Sequence, residues 1–343
     1  MFHENFQVGY FGCGVDPGGL VPCPGRGGAV RAPAARLDTQ AETILAGAVW
    51  SRLTRLTRIG APVAFLAPSL IFLLAFTYWP ILHAFFLGFF RWNINTPNRV
   101  FAGLANYREL LLEPLFRQVL LNNIYYGLLA IPVAMAIALF LAIQVNKRFA
   151  GCTWYRTIFF YPTMIPMVAA AMIWVWMLNP GYGPVNYYLK MLGLPAPEWL
   201  YSMEWAMPAI IMVSLWKHIG YFMIIYLAGL QNIPDDLYEA AALEGAGPWV
   251  RFRVVTWPCL SPTTYFLFII AIITTFQVFD QVYIMTQGGP ANRTNVLVYY
   301  IYQNAFQFWD MGKASALTTV QIVLLFCLVW GASRVLRMRV HYQ

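Results

Sequence analysis

Long apolar runs separated by short polar connections dominate the chain from Pro62 onward. Six of these runs reach the roughly 20 residues that a helix needs to cross the hydrocarbon core of a bilayer. They cover residues 62–90, 119–144, 159–178, 207–230, 263–286 and 314–333. Because backbone groups in lipid must pair within their own segment, each run predicts a membrane-spanning helix. The pattern therefore predicts an all-α membrane protein with six transmembrane helices.

The composition argues against a soluble globule. Only 10% of the 343 residues are charged, whereas soluble domains carry about 25%. A net charge of +8 would suit nucleic acid, but the basic residues stand in short groups beside the apolar runs, where they mark membrane topology. The five cysteines and four histidines show no metal-ligand spacing. We expect membrane lipid around the chain, no nucleic acid and no metal site.

The first part of the chain has a different character. Residues 1–58 contain the stretch "GCGVDPGGLVPCPGRGGAVRAPAARL", which is rich in Gly, Pro and Ala and has no sustained apolar period. Such a stretch buries too little apolar surface to offset the entropy lost on ordering it. We predict a disordered cytoplasmic segment there, or sequence upstream of the true start. Residues 59–343 are predicted to form one transmembrane domain.

The distribution of Lys and Arg beside the runs predicts the orientation. One side carries Arg52, Arg55, Arg58, Lys147, Arg148, Arg156, Arg251, Arg253, Arg334, Arg337 and Arg339. The other carries Arg91, Arg99, Arg108, Arg117, Lys190, Arg293 and Lys313. The excess on the first side places both termini in the cytoplasm.

A compact polar stretch, "IPDDLYEAAALEGAGPWVRF", separates the fourth and fifth runs. Pro234 suits a first helical turn, and Asp235 and Asp236 place negative charge at the positive end of the helix dipole. Gly245 and Gly247 then stop the helix. A second short helix is predicted from Pro248, ending before Pro258 because the residue preceding a proline disfavours helix. The result is a cytoplasmic helical hairpin.

Two functions fit this hairpin equally well on the residues alone. Leu237, Ala240, Ala241 and Leu243 form an apolar side, which Trp249 and Phe252 extend with aromatic rings. An apolar anchor with a charged rim is typical of a docking surface. The same pattern is typical of a helix that lies on the membrane surface.

The stretch "EAAALEGAGPWVRFRVVTWPCLSP" resembles the cytoplasmic EAA loop of binding-protein-dependent ABC transporter permeases. The resemblance implies a coupling-helix loop over residues 233–262, which docks on an ATP-binding subunit. Glu239 would pair with a basic residue there, Gly245 would permit the elbow, and Ala240 and Ala241 would allow close approach. The residues implied in coupling are Glu239, Ala240, Ala241, Gly245, Trp249, Phe252 and Pro258.

Further stretches narrow the resemblance to the carbohydrate-uptake group, which includes membrane subunits of maltose, multiple-sugar and glycerol-3-phosphate importers. They are "FAGLANYREL", "YPTMIPMVAAAMIWVWMLNPGYGPVN" and "FDQVYIMTQGGPANRTNVLVYYIYQNAFQFWDMGKASAL", in the same order as in that group. The resemblance implies a bacterial inner-membrane sugar importer in which this chain forms half of the pathway. The implied partners are a second permease, a dimer of ATP-binding subunits and an external solute-binding protein.

Polar residues inside the runs are candidates for the pathway. Ser214, His218 and Tyr221 share one helical face, and so do Thr274, Gln277 and Gln281. Alignment with the group's sugar site places Ser214, His218 and Tyr221, and also Thr274 and Thr275, at lining positions. Hydroxyl-pairing groups with aromatic rings suit a sugar, but Ser, Thr and Gln also make ordinary interhelical bonds. The predicted pathway residues are Ser214, His218, Tyr221, Thr274, Thr275, Phe276 and Gln277.

Two intramembrane charges lie at similar predicted depth. Lys217 and Asp280 are within reach of a long lysine side chain, and we predict a structural or gating ion pair. An anionic cargo such as glycerol 3-phosphate, or another polyol, remains an alternative because Lys217 and His218 would supply a positive site.

No catalytic machinery is evident in the chain. It lacks a Gly-x4-Gly-Lys-Ser/Thr loop, so we expect no cofactor of its own and ATP-Mg bound by the partner. A membrane enzyme would need a cluster of His, Asp or Ser near one membrane face, and none is evident. A secondary transporter with Asp280 and His218 as a proton relay predicts internal repeats, which we do not see.

Overall fold

A computed structural model describes residues 65–96, 98–147 and 151–337. The predicted N-terminal segment, residues 1–58, lies outside the described residues. The chain divides into two units, Met1–Phe72 and Leu73–Gln343, and the side-chain packing described below lies within the second unit.

Five helices are long and apolar enough to cross a membrane. Their bounds are Phe65–Leu87 (α1), Pro114–Asn146 (α3), Ala206–Gln231 (α7), Ser261–Met285 and Met311–Arg337 (α13). A sixth span forms if the bent pair Cys152–Met164 (α4) and Met167–Met177 (α5) counts as one. The predicted all-α fold with six transmembrane helices is thus confirmed, with helix ends close to those predicted.

The third predicted span is not one straight helix. Helices α4 and α5 meet at 98°, because Pro166 pushes Ile165 into an extended conformation with φ −74° and ψ 131°. The fifth span is also interrupted: one helix covers Ser261–Phe276 (α10) and a second covers Asp280–Met285 (α11). No proline or glycine marks this second break, so the continuous helix predicted over residues 263–286 is wrong at that point.

The remaining elements lie in the connections. A two-stranded antiparallel hairpin pairs Phe90–Arg91 (β1) with Val100–Phe101 (β2). The short helices are Ala105–Leu112 (α2), Pro184–Met191 (α6), Asp235–Leu243 (α8), Pro248–Arg251 (α9) and Leu297–Tyr302 (α12). π-Helical turns follow α9 at Phe252–Thr256 and α12 at Gln303–Gln307, and another lies within α1 at Leu74–Tyr78.

Helix α7 is the centre of the second unit. In the apolar 18-residue stretch of α7, 56% of the residues are buried, whereas 28% are buried in the corresponding stretches of α3 and α13. Ala134, Ala138 and Ala142 of α3 recur every fourth residue and are buried in the same core as α7, which lets two helix backbones approach closely. Gly220 of α7 lies so close to α4 that a Cβ there would be 1.9 Å from the Phe159 carbonyl oxygen. The first part of the broken span is therefore packed tightly on the central helix.

Candidate coupling surface and substrate pathway

The polar stretch between the fourth and fifth spans folds as the predicted helical hairpin. Helix α8 begins with Asp235 and Asp236 in its first turn, directly after Pro234. Gly245 has φ +75°, a conformation that costs a residue with a Cβ about 1–2 kcal/mol. Arg251 Nε donates to the Ala246 carbonyl oxygen at 2.8 Å and ties α9 to the elbow.

One side of this hairpin is attached to the bundle. Tyr238 and Ala241 pack against the core shared by α3, α7 and α10. The Tyr238 hydroxyl lies 3.1 Å from Thr256 Oγ1. Ala241 is therefore half-buried against the bundle, and the prediction that it shares one free apolar side with Leu243 is wrong.

The other side of the hairpin is exposed and apolar. Leu243 is 90% exposed and Trp249 is 72% exposed. The Trp249 and Phe252 rings stack with their centroids 5.5 Å apart. Phe252 is half-buried. Glu239 and Ala240 are exposed as well. We call this exposed side the coupling surface. Exposed apolar and aromatic side chains of this kind are typical of a docking anchor.

Helical structure continues through Pro258, so the predicted end before this proline is wrong. The π-turn Phe252–Thr256 leads directly into a helical turn at Trp257–Cys259. Trp257 N donates to the Phe252 carbonyl oxygen, five residues earlier. A proline in a regular helix clashes with the carbonyl four residues earlier, and a wider π-turn relieves such a clash. Pro258 is thus a joint between the hairpin and α10, which begins at Ser261.

Four of the predicted pathway residues meet at a narrow cleft within the bundle. The cleft has a volume of about 30 Å³, enough for roughly one water molecule. Its polar lining consists of Tyr126, Ser214, His218, Thr274 and Thr275. The structure therefore brings together groups from three helices, α3, α7 and α10.

Most polar side chains that line the cleft form hydrogen bonds with other groups of the chain. Gln281 Nε2 donates to Ser214 Oγ at 2.6 Å and to the Tyr126 hydroxyl at 3.1 Å. His218 Nδ1 donates to the Ser214 carbonyl oxygen at 2.8 Å. Thr274 Oγ1 donates to carbonyl oxygens of its own helix. Tyr126 was not predicted from the sequence, because nothing in the run distinguishes it from the neighbouring Tyr125.

Three predicted pathway residues lie outside the cleft lining. Phe276 is buried, Tyr221 is 36% exposed and Gln277 is exposed. The helix break after Phe276 also separates Gln277 from the buried Gln281. These two glutamines do not share a helical face, which corrects the prediction that relied on a continuous helix.

The predicted pair between Lys217 and Asp280 is not formed. Lys217 Nζ donates to the carbonyl oxygens of Pro162 and Thr163 at 3.1 and 3.0 Å, and to that of Ile165. Thr163 Oγ1 donates in return to the Lys217 carbonyl oxygen at 3.1 Å. The last carbonyls of a helix have no partner within it, and an ammonium group satisfies them well. The break between α4 and α5 is therefore where the lysine is bound.

A wider cavity of about 730 Å³ lies at the opposite end of the bundle from the coupling surface. Its charged groups are mostly paired already: Arg91 with Glu109, and Lys313 with Glu113. In the segments that the structure describes, no cluster of His, Cys, Asp and Glu has the arrangement of a metal site.

Comparison with known proteins places this arrangement in a family. Residues 130–336 match the family described as binding-protein-dependent transport system inner membrane component. The chain belongs to this family of ABC importer permeases. It is a multi-pass membrane subunit, as the EAA-like loop predicted.

The relatives are similar over most of their length. The probable ABC transporter permease protein YurN of Bacillus subtilis is 36% identical, over 78% of this chain and 92% of the relative. The sulfoquinovosyl glycerol transport system permease protein SmoG of Agrobacterium fabrum is 34% identical, over 84% and 94%. A bacterial ABC transporter involved in import of the acidic polysaccharide alginate matches with a TM-score of 0.74 and 26% identity, over 84% and 98%.

Proposed function

We propose that this permease is one of two membrane subunits of an ATP-driven bacterial sugar importer. The observation that carries the proposal is the coupling surface. It is fixed to the bundle through Tyr238, yet it presents Trp249 and Leu243 to the outside. An anchored apolar surface of this kind suits the transmission of force from another protein, because movement of the hairpin must move α10, which follows it in the chain.

The proposed assembly has three further kinds of protein partner. A second permease completes the pathway, a dimer of ATP-binding subunits docks on the coupling surface and hydrolyses ATP-Mg, and an external solute-binding protein delivers cargo. The alginate transporter has been crystallised in complex with an alginate pentasaccharide-bound periplasmic protein, which supports a similar arrangement here. In this orientation both termini and the hairpin are cytoplasmic.

A neutral sugar fits the pathway better than an anionic cargo. The case for an anion rested on positive charge supplied by Lys217 and His218. The Lys217 ammonium group is engaged by three backbone carbonyls, so of these two residues only His218 lines the cleft. The hydroxyl groups of Thr274 and Tyr126 and the imidazole of His218 remain there. They are suited to polyhydroxylated molecules.

Co-purification tests the proposal. The chain is co-expressed with a candidate second permease and ATP-binding subunit from the same organism, and the complex is isolated through a tag on this chain. We expect the ATP-binding subunit to remain bound and to be lost when Glu239 is replaced by Ala, because a buried carboxylate–cation pair is costly to break. Asp236→Ala is the matched control, an exposed acid on the same helix. Uptake that proceeds without ATP would contradict the proposal.

A further inference from the structure

Five aromatic rings pack against one another at the end of the bundle opposite the coupling surface. We call this group, Phe279, Tyr283, Tyr299, Tyr302 and Phe306, the aromatic ladder. Phe279 stacks on Tyr283 at 5.4 Å with 12° between the ring planes. Tyr302 lies 5.3 Å from Tyr283 and 5.4 Å from Phe306. The ladder joins two elements, the start of α11 and the α12 helix with its π-turn.

The ladder has a buried base and an exposed edge. Tyr299 is 2% exposed, whereas Tyr283 is 37% and Phe306 is 59% exposed. The Tyr299 ring lies against Gly288, where an added Cβ would be 2.9 Å away. The exposed rings are therefore held on a fixed support.

Two features of the backbone indicate that this edge faces water and not lipid. Residues 277–279 are not helical although they interrupt a membrane span. Irregular backbone at membrane depth is tolerated only where protein buries it or a water-filled cavity adjoins it. Gln277 at this break is exposed, and an exposed amide would be unfavourable against hydrocarbon.

The second feature is the π-turn Gln303–Gln307, which carries both Phe306 and Gln307. π-Turns within helices are frequent at functional sites because they redirect side chains. Gln307 is exposed next to Phe306. The aromatic rings, with amide and phenol groups at their margins, thus form a continuous surface. Its first residue, Phe279, is two residues after the predicted pathway residue Gln277.

We propose that the aromatic ladder is a carbohydrate-stacking surface in the part of the pathway farthest from the ATP-binding subunits. The proposal rests on the proposed sugar-import function. A pyranose ring presents an apolar C–H face that packs on aromatic rings, with hydroxyl groups around its rim. Tyr283 and Tyr302 supply ring faces and phenols, and Gln307 supplies an amide for the rim. The ladder would hold cargo between delivery and the central cleft.

Transport by the complete reconstituted complex tests the ladder. Proteoliposomes that contain both permeases and the ATP-binding subunits are given radiolabelled glucose, mannose, galactose and xylose trisaccharides with the binding protein. The sugar that gives the fastest wild-type uptake is then used for the variants. We expect Tyr302→Ala to lower the maximal uptake rate about fivefold, since one aromatic stacking contact contributes a factor of this order. Tyr302→Phe should retain at least half of the rate.

A second readout separates cargo binding from damage to the fold. ATP hydrolysis stimulated by the loaded binding protein should be unchanged in Tyr302→Ala, because the coupling surface is far from the ladder. The sugar transported per ATP should therefore fall. A parallel loss of ATP hydrolysis and uptake, or release of the second permease during size-exclusion chromatography, would assign the ladder to the subunit interface and overturn the proposal. Absence of sugar uptake by the wild type would refute the import function itself.

Cysteine labelling tests the position of the ladder directly. In a variant whose five native cysteines are replaced, Phe306→Cys should react with a membrane-impermeant maleimide applied from outside. The transported trisaccharide should protect it. Phe308→Cys is the control, since Phe308 is also 59% exposed at that end but is not in the ladder, and it should react with or without sugar. Equal labelling of Phe306→Cys in both conditions would contradict a stacking role.

Discussion

The coupling hairpin and the break between α4 and α5 both interrupt the helical spans, but their backbone groups find partners in different ways. The hairpin turns at the exposed Gly245, and the elbow carbonyl of Ala246 is bound by Arg251, five residues after Ala246. The break lies within a membrane span, and the partner of its carbonyls is Lys217, 55 residues from Pro162. Turns in water can rely on local sequence, whereas turns in lipid need a tertiary partner.

Replacing Lys217 by Met should have the largest effect. Methionine has a similar length but cannot donate hydrogen bonds, so three carbonyls of the break lose this donor, and that of Pro162 keeps only the Ile165 N–H. Each unsatisfied group in a hydrocarbon environment costs several kcal/mol. We expect little folded protein in the membrane and no measurable uptake. Immunoblots of membranes, with thermal unfolding of the purified complex, provide the measurement.

Two control variants sharpen this test. Lys217→Arg keeps the charge and the donors, and it should retain part of the uptake. Lys190→Met removes an exposed lysine of α6 and should change neither stability nor transport. Wild-type stability in Lys217→Met would show that the break holds its shape without the ammonium group.

Gly245→Val should abolish uptake while the protein remains folded. The positive φ of +75° disfavours a β-branched residue, yet the space around this position is open, so only the hairpin should distort. We expect normal membrane levels and at least tenfold slower ATP-dependent uptake, as about 1.4 kcal/mol of lost coupling free energy is tenfold. Gly247→Val is the control, because Gly247 has an ordinary φ of −68°. Normal uptake by Gly245→Val would remove the hairpin from the mechanism.

Trp249→Ala should weaken docking of the ATP-binding subunit without destabilising the permease. Trp249 is 72% exposed, so the isolated chain loses little when the ring is removed. A central aromatic anchor contributes about 2 kcal/mol to binding, or roughly 30-fold in affinity. Titration of the reconstituted permease pair with purified ATP-binding subunit gives the dissociation constant. Tyr187→Ala, an equally exposed ring on α6, should leave it unchanged.

The sequence predicts the apolar runs and the hairpin but not the helix breaks or the partner of Lys217, and the contrast between local and tertiary partners explains why. The six apolar runs and the hairpin were predictable because their signals are local: length, charge in the first turn, and glycine at a positive φ. The break at Pro166 has a local signal in Pro162 and Pro166, although the apolar run continues through both prolines. The break at residues 277–279 and the partner of Lys217 had none, because packing against distant helices determines both.

Gln281→Leu separates helix packing from cargo binding. Leucine leaves Ser214 Oγ and the Tyr126 hydroxyl without their shared donor. Removing one member of a buried hydrogen-bond network costs about 1–3 kcal/mol. We expect a lower unfolding temperature of the complex, with uptake per folded complex close to wild type. Unchanged stability with a selective loss of uptake would instead indicate that Gln281 binds cargo.

Thr274→Val should have the smallest effect. Unlike Gln281→Leu, it should lower uptake without lowering stability. The Thr274 hydroxyl donates only to carbonyls of its own helix, so valine, which has nearly the same shape, leaves no other side chain without a partner. Stability should therefore be unchanged. The hydroxyl oxygen can still accept a hydrogen bond from a sugar, and loss of one such bond is worth about 0.5–1.5 kcal/mol. A twofold to tenfold lower uptake rate at unchanged unfolding temperature would place Thr274 in the pathway, since a hydroxyl that does not bind cargo would leave the uptake rate unchanged.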